Sequence, residues 1–239
     1  MSDADAATRS VGVVVVAAGS GSRLGADRPK AFVELAGRTL LERSLVGASE
    51  AGARHIVVVV PADLVAEATT RLSAVADLHG SDVVVVAGGT ERTDSVRAGL
   101  AALDSGCGIV LVHDAARCLT PAAVFERVIA AVSDGAAGAV PGLPVVDTVK
   151  TVDERGVITG TPDRSRLRSV QTPQGFAAEV LRDAYASPDA VGAAATDDAA
   201  LVERRGHAVL VVEGDPLALK ITTREDLERA EHLLSEARR

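Results

Sequence analysis

The chain reads as an α/β protein, a three-layer α/β/α domain with a mostly parallel sheet and an inserted β-arm. Two observations predict the sandwich. Short, fully apolar, valine-rich runs recur, as expected of strands buried on both faces. Helical stretches separate them, giving the β-α-β beat of a parallel sheet. A third observation predicts the arm: the beat breaks near Ala137, and a stretch punctuated by Pro141 and Pro144 takes over.

In chain order, residues 11–17 form the first buried strand and residues 19–29 a Gly-rich loop. A helix at 39–49 precedes a second strand at 56–60, which Pro61 stops. A helix at 64–75, a strand at 82–87, a helix at 92–103 and a strand at 109–113 follow. Pro121 suits a helix start, and that helix runs to about Val132. From Val140 to Gly160, three short apolar stretches at 145–146, 149–152 and 157–158 surround the turn-like Asp153-Glu154-Arg155-Gly156. This pattern predicts a β-ribbon. An isolated hairpin is marginal in water, so the ribbon must pack on its own domain or on a second subunit. Helices at 179–186, 197–205 and 224–237 and a strand at 208–212 complete the chain. The expected organisation is a flexible segment at 1–10, then one domain at 11–239 carrying the arm at about 140–165.

The 239 residues suffice for a sizeable core. Apolar residues make up 47% and aromatics 2%, so the core must be aliphatic. With one Tyr, three Phe and no Trp, base stacking on single-stranded nucleic acid lacks its platforms. A net charge of −8 disfavours non-specific binding to nucleic acid or anionic membranes. It leaves open an anionic small substrate, for which a few placed cations suffice. Cys107 and Cys118 make no disulfide framework and no Cys-x-x-Cys knuckle, as expected of two reduced thiols in a cytoplasmic protein. The polar first ten residues lack the pattern of a signal peptide. The apolar runs fall short of the roughly 20 residues a membrane span needs.

The strongest chemical signal is Ala17-Ala18-Gly19-Ser20-Gly21-Ser22-Arg23-Leu24-Gly25, followed by Pro29-Lys30. It leaves the first strand at the edge where open parallel sheets bind ligands. Glycines let backbone N–H groups approach phosphate oxygens, and Arg23 and Lys30 can neutralise their charge. A dinucleotide fingerprint fails because Gly25 comes one residue late. A phosphate-binding Gly-Lys-Ser/Thr ending is absent because Ala26 follows Gly25. What remains is a loop suited to gripping a triphosphate. Asp114, in His113-Asp114-Ala115-Ala116-Arg117, ends the fourth strand on the same edge. It can bind Mg²⁺ together with substrate phosphates, or simply satisfy turn donors. His113 packs or orients. Gly88-Gly89-Thr90-Glu91-Arg92-Thr93-Asp94-Ser95 offers two glycines to a flat base and the hydroxyls of Thr90 and Ser95, or else a capped helix start. Asp147-Thr148-Val149-Lys150, Arg164 and Thr172-Pro173-Gln174 lie in or beside the arm. Lys220 sits in an apolar stretch, either snorkelling or aimed into a site.

These pieces, in this order from about Val11 to Leu234, resemble the 2-C-methyl-D-erythritol 4-phosphate cytidylyltransferase family of the non-mevalonate isoprenoid pathway. The Gly-rich loop alone would indicate only the wider nucleotidyltransferase class. Gly-Gly-x-x-Arg-x-Asp-Ser-Val, Val-His-Asp-Ala-Ala-Arg, Asp-Thr-Val-Lys and Thr-Pro-Gln narrow it. The resemblance implies a Rossmann-like domain whose arm dimerises. It implies that Ala17, Ala18, Gly19, Gly89, Thr90 and Ser95 hold CTP and that Arg23 and Lys30 stabilise the transition state. Asp114 would bind Mg²⁺ or another divalent cation. Arg164 and Lys220 would place the polyol phosphate, with Thr148, Arg117 and Thr172 nearby. Thr148 and Arg164 would serve the other subunit of a homodimer. Two departures stand out: Cys118 where the family often has Pro, and Ala218 where it often has Asn. A ribitol 5-phosphate cytidylyltransferase would share this site plan, and a nucleotide-sensing regulator would need fewer of its cations. Sequence alone separates the two acceptors poorly.

Overall fold

The computed structural model describes residues 10–19, 24, 28–75, 78, 80–187 and 197–236. Alternation along the valine-rich strands builds its two cores. In β1 (Val11–Val16), Val13 and Val15 point to one face of the sheet, where they join Leu41 and Leu45 of helix α1 (Leu40–Glu50) and Phe125 and Val128 of a helix at Ala122–Ser133. Val14 points to the other face, toward Val96 and Leu100 in a helix at Arg92–Ala102 and Leu181 in one at Ala178–Ala186. Strand residues of period two therefore supply both layers, as their β-branched character suits.

The parallel half of the sheet is β6 (Ile109–Asp114), β1, β4 (His55–Val60) and β5 (Asp82–Ala87), in that spatial order. Between them in sequence run the two-residue strands β2 (Glu34–Leu35) and β3 (Arg38–Thr39), helix α1, α2 (Val65–Ser73) and α3 (Arg92–Ala102). Thr39 closes a capping box with Glu42, which explains where α1 begins. Helix α4 (Ala122–Ser133) starts after Pro121, as expected.

The other half departs from the sequence reading. Strand β7 (Gly138–Pro144) belongs to the main sheet, so the ribbon expected from Val140 onward is shorter. Only β8 (Thr151–Val152) and β9 (Ile158–Gly160) pair as a separate hairpin. The reason is burial: residues 138–142 are covered, whereas the hairpin is exposed, Val152 to 57% and Ile158 to 60%. Strands β10 (Arg168–Val170) and β11 (Gln174–Ala177) escaped the sequence reading because neither carries a β-branched run. They run antiparallel along β7, and β11 also pairs antiparallel with β6. The register slips by two residues between Val170↔Gly142 and Gly175↔Ala139, which leaves Thr172-Pro173 in a bulge with a cis peptide bond. Helices α5 (Ala178–Ala186) and α6 (Asp198–Arg204), strand β12 (Val209–Glu213) and helix α7 (Arg224–Glu236) follow, with β12 parallel to β7. Both cysteines are free and buried. Among the described residues, no helix is long and apolar enough to cross a membrane.

Candidate active site

Parallel register fixes which loops meet. Val16 pairs with Asp114, the Ala115 N–H donates to the Val16 carbonyl at 3.1 Å, and the Ala17 N–H donates to Val59 at 2.8 Å. The chain leaving β1, the turn after β5 and the end of β6 thus open on one edge. They surround a cavity of about 220 Å³. Ala17, Ala18 and Gly19 form one wall and Gly89, Thr90 and Ser95 another, with Asp114, Lys30 and Lys220 reaching in. Lys30 stands on a single 3-10 turn anchored by buried Ala31 and Phe32. Gly88 is a steric requirement: a Cβ there would lie 2.6 Å from Ala18 Cβ and 2.7 Å from Ser95 Oγ. Ser95 Oγ in turn accepts from the Gly89 N–H at 3.2 Å.

A second cavity of about 230 Å³ adjoins the first, and Arg92, Asp114 and Lys220 line both. Arg117, Thr172 and Gln174 line only the second. Of the residues singled out in the sequence, Thr148 and Arg164 line neither. Both are exposed, and Arg164 Nη1 donates to the Val146 carbonyl at 2.8 Å. Arg23 lies outside the described residues.

The charges at the boundary alternate. Lys220 Nζ lies 2.7 Å from Asp114 Oδ2, and Arg92 Nη2 lies 3.6 Å from Asp114 Oδ1. Arg92 also makes a two-pronged contact with buried Asp198, at 3.0 and 2.7 Å. Burial alone would push the Asp114 carboxyl up, but the Arg92 and Lys220 charges prevail and hold it down at about 2. Its backbone N–H donates to Thr172 Oγ1 at 3.0 Å, so the bulge between β10 and β11 aims at the end of β6. Burial brings His113 down to about 4, and its Nδ1 lies 3.1 Å from Thr172 Oγ1. His113 is therefore neutral and fully buried, packed against Phe125 and turned toward Thr172.

The segment carrying Lys220 is pinned from two sides. The Ile221 N–H donates to Ala116 at 2.9 Å, and Arg117 Nη1 donates to the Ala218 carbonyl at 2.7 Å. Ala218 is fully buried and takes part through its backbone, and Cys118 packs in a small apolar cluster with Leu40 and Ile221. Sequence reading passed over Arg92, Gln174 and Asp198 as functional residues. Arg92 and Gln174 stood inside quoted motifs, and two adjacent acids at Asp197-Asp198 were the available signal for the third. Gln174 Oε1 accepts from the N–H groups of Asp198 and Ala199, fixing the start of α6.

For a metal, Asp114 is a single hard oxygen donor. Among the described residues, no group of three His, Cys, Asp or Glu could cage an ion. That donor set suits a cation carried in on substrate phosphates, such as Mg²⁺.

The family model for 2-C-methyl-D-erythritol 4-phosphate cytidylyltransferase matches residues 11–236. The chain belongs to this family. Cytidylyltransferases of the same description from Nocardia farcinica and Rhodococcus jostii are 55% and 53% identical to it, over 98% and 93% of the chain and 97% and 94% of their own lengths. Two solved structures are similar throughout. One is the 4-diphosphocytidyl-2C-methyl-D-erythritol synthase of Anaerococcus prevotii, at TM-score 0.83 and 29% identity. The other is the cytidylyltransferase of Thermus thermophilus, at 0.74 and 36%. Each covers 95% of the chain and 99% of the structure compared. In this cytidylyltransferase, both cavities and the charged boundary between them come from the region that the family model spans.

Proposed function

We propose that the chain transfers CMP from CTP to 2-C-methyl-D-erythritol 4-phosphate, releasing pyrophosphate and forming the 4-diphosphocytidyl product. One observation carries this reading in physical terms: two adjoining cavities share a boundary of Arg92, Asp114 and Lys220. A transfer between two phosphorylated molecules needs that layout, with cations where the reacting phosphates meet.

CTP occupies the first cavity against Ala17, Ala18, Gly19, Gly89, Thr90 and Ser95. The acceptor occupies the second, near Arg117 and Thr172. An acceptor phosphate oxygen attacks the α-phosphorus; the new P–O bond forms as the α–β bridge breaks and pyrophosphate leaves. The acceptor phosphate is already a nucleophile, so no general base is required. The inward orientation of His113 is consistent with that. Negative charge crowds at the α-phosphorus, and Lys30, Lys220 and Arg23 offset it. A divalent ion, Mg²⁺ for preference, held by Asp114 and the phosphates of CTP, would supply further charge neutralisation. The exposed hairpin points to a homodimer in which Thr148 and Arg164 complete the partner's site. A cytoplasmic location is the reading that the two free cysteines support.

The test is pyrophosphate release from CTP and Mg²⁺ against a panel of polyol phosphates. Release is expected with 2-C-methyl-D-erythritol 4-phosphate well above ribitol 5-phosphate. Preference for ribitol 5-phosphate would reassign the acceptor, and CTP binding without turnover would point to a sensor.

A further inference from the structure

We propose that Arg92, clamped by Asp198 and Tyr185, is a positioning residue that holds the Asp114 carboxylate, and through it the Lys220 ammonium, at the boundary between the two cavities. The proposal rests on the transfer reaction proposed above.

Four elements and the loop before α7 contribute to one chain of contacts. The Tyr185 hydroxyl on α5 donates to Asp198 Oδ1 at the start of α6. Asp198 takes both Nη atoms of Arg92, the first residue of α3. Arg92 Nη2 also faces Asp114 Oδ1 at the end of β6, and Asp114 Oδ2 faces Lys220. The signs alternate along Asp198, Arg92, Asp114 and Lys220, so removing any one leaves a neighbour uncompensated. Asp198 is completely buried. A buried ion pair contributes little net stability, because desolvation offsets the attraction. A satisfied buried network does fix geometry. Arg92 carries out that task through its fork. Both Nη groups are committed to Asp198, and one is shared with Asp114, so the guanidinium acts on the carboxylate. The carboxylate is then held from two sides, Arg92 at one oxygen and Lys220 at the other, while Thr172 Oγ1 accepts from the Asp114 backbone N–H and fixes the chain beneath it. Lysine at position 92 would keep the charge but lose the planar fork, and could not span both carboxylates.

The test is a double-mutant cycle in the full-length enzyme, with Arg92→Lys, Lys220→Ala and the pair combined. Lys220→Ala is expected to lower kcat on the order of a hundredfold, and Arg92→Lys about tenfold. If Arg92 acts through Asp114 on Lys220, the double variant loses about a hundredfold, no more than Lys220→Ala alone. Multiplied losses, on the order of a thousandfold, would overturn the proposal. Arg92→Lys should leave the KM for CTP within about twofold while lowering kcat/KM for the acceptor, a split that general destabilisation would not produce. Tyr185→Phe removes one hydroxyl and keeps every charge, so it serves where Arg92→Lys does not fold; its loss should be smaller and of the same kind. A crystal structure of Arg92→Lys reads the clamp without turnover. The Asp114 carboxylate should turn and Lys220 move with it, and an unmoved Asp114–Lys220 pair would refute the role. Absence of turnover by the unaltered enzyme on every polyol phosphate would instead refute the transfer reaction, leaving the crystal structure to decide the clamp.

Discussion

Val16 and Asp114 are register partners at the carboxyl ends of adjacent parallel strands. One ends the strand that feeds the Gly-rich loop. The other is the carboxylate that Lys220 and Arg92 flank. Their pairing puts the first cavity and its charged boundary on the same sheet edge.

Lys30→Ala should lower kcat more than it raises the KM for CTP. A cation beside the reacting phosphate interacts most strongly as charge builds there. Losing one such contact costs about 3 kcal/mol, on the order of a hundredfold in kcat. Steady-state kinetics decide it; an unchanged kcat with a raised KM would make Lys30 a ground-state clamp.

Chelation of divalent ions should abolish pyrophosphate release, and Mg²⁺ should restore it. Asp114→Asn should slow turnover and raise the metal concentration needed for half-maximal rate, by roughly tenfold or more. A metal titration of both forms is the measurement, and matching metal curves would remove Asp114 from the metal's ligands.

Two inactive variants, Lys30→Ala and Arg164→Ala, should recover activity when mixed under subunit exchange. In a mixed dimer with crossed arms, one site keeps Lys30 from one chain and Arg164 from its partner. Random pairing makes about half the dimers mixed, so roughly a quarter of the original activity should return. No recovery despite proven exchange would mean that Arg164 serves its own chain.

His113 should make stability fall as the solution is acidified from about pH 6.5 to about 4. Burial keeps its folded-state value near 4. Below 6.5 the unfolded chain therefore takes up a proton that the folded chain refuses, and stability rises with pH across that window. The loss is complete once pH is below about 4. Asp114, held near 2, acts in a lower window, where stability present above its ordinary carboxylate value is lost as pH falls. Urea unfolding at a series of pH values should show a shallower slope between 4 and 6.5 for His113→Gln.

Gly99→Ala should destabilise although it favours helix. The added Cβ would lie 2.3 Å from Val14 Cγ1 and 3.1 Å from Val59 Cγ2. Both valines are fully buried in central strands and have no room to yield. Overpacking costs about 1–3 kcal/mol against a helix-propensity gain of about 1 kcal/mol. The net loss of about 1 kcal/mol should lower Tm by about 2–4 °C in thermal unfolding.

The valine runs by themselves determined the parallel half of the sheet: β1 and β4 are apolar because both faces are buried, while β5, equally valine-rich, lies at the sheet edge with Val84 exposed. The motifs after β1, β5 and β6 indicated most of the first cavity, because the carboxyl ends of parallel strands share one edge, while Lys220 joins it from far along the chain. Tertiary structure decided the other half. Residues 138–142 are strand because β11 and β12 flank them, and Gln174–Ala177 is strand because β6 and β7 accept it. Neither fact is written in local periodicity. Tertiary structure also decided the partners of Asp114. Arg92, Lys220 and Asp198 are far apart in sequence, and an ion pair depends on distance in space, which only the packing of α3, α6 and the segment before α7 against the end of β6 sets.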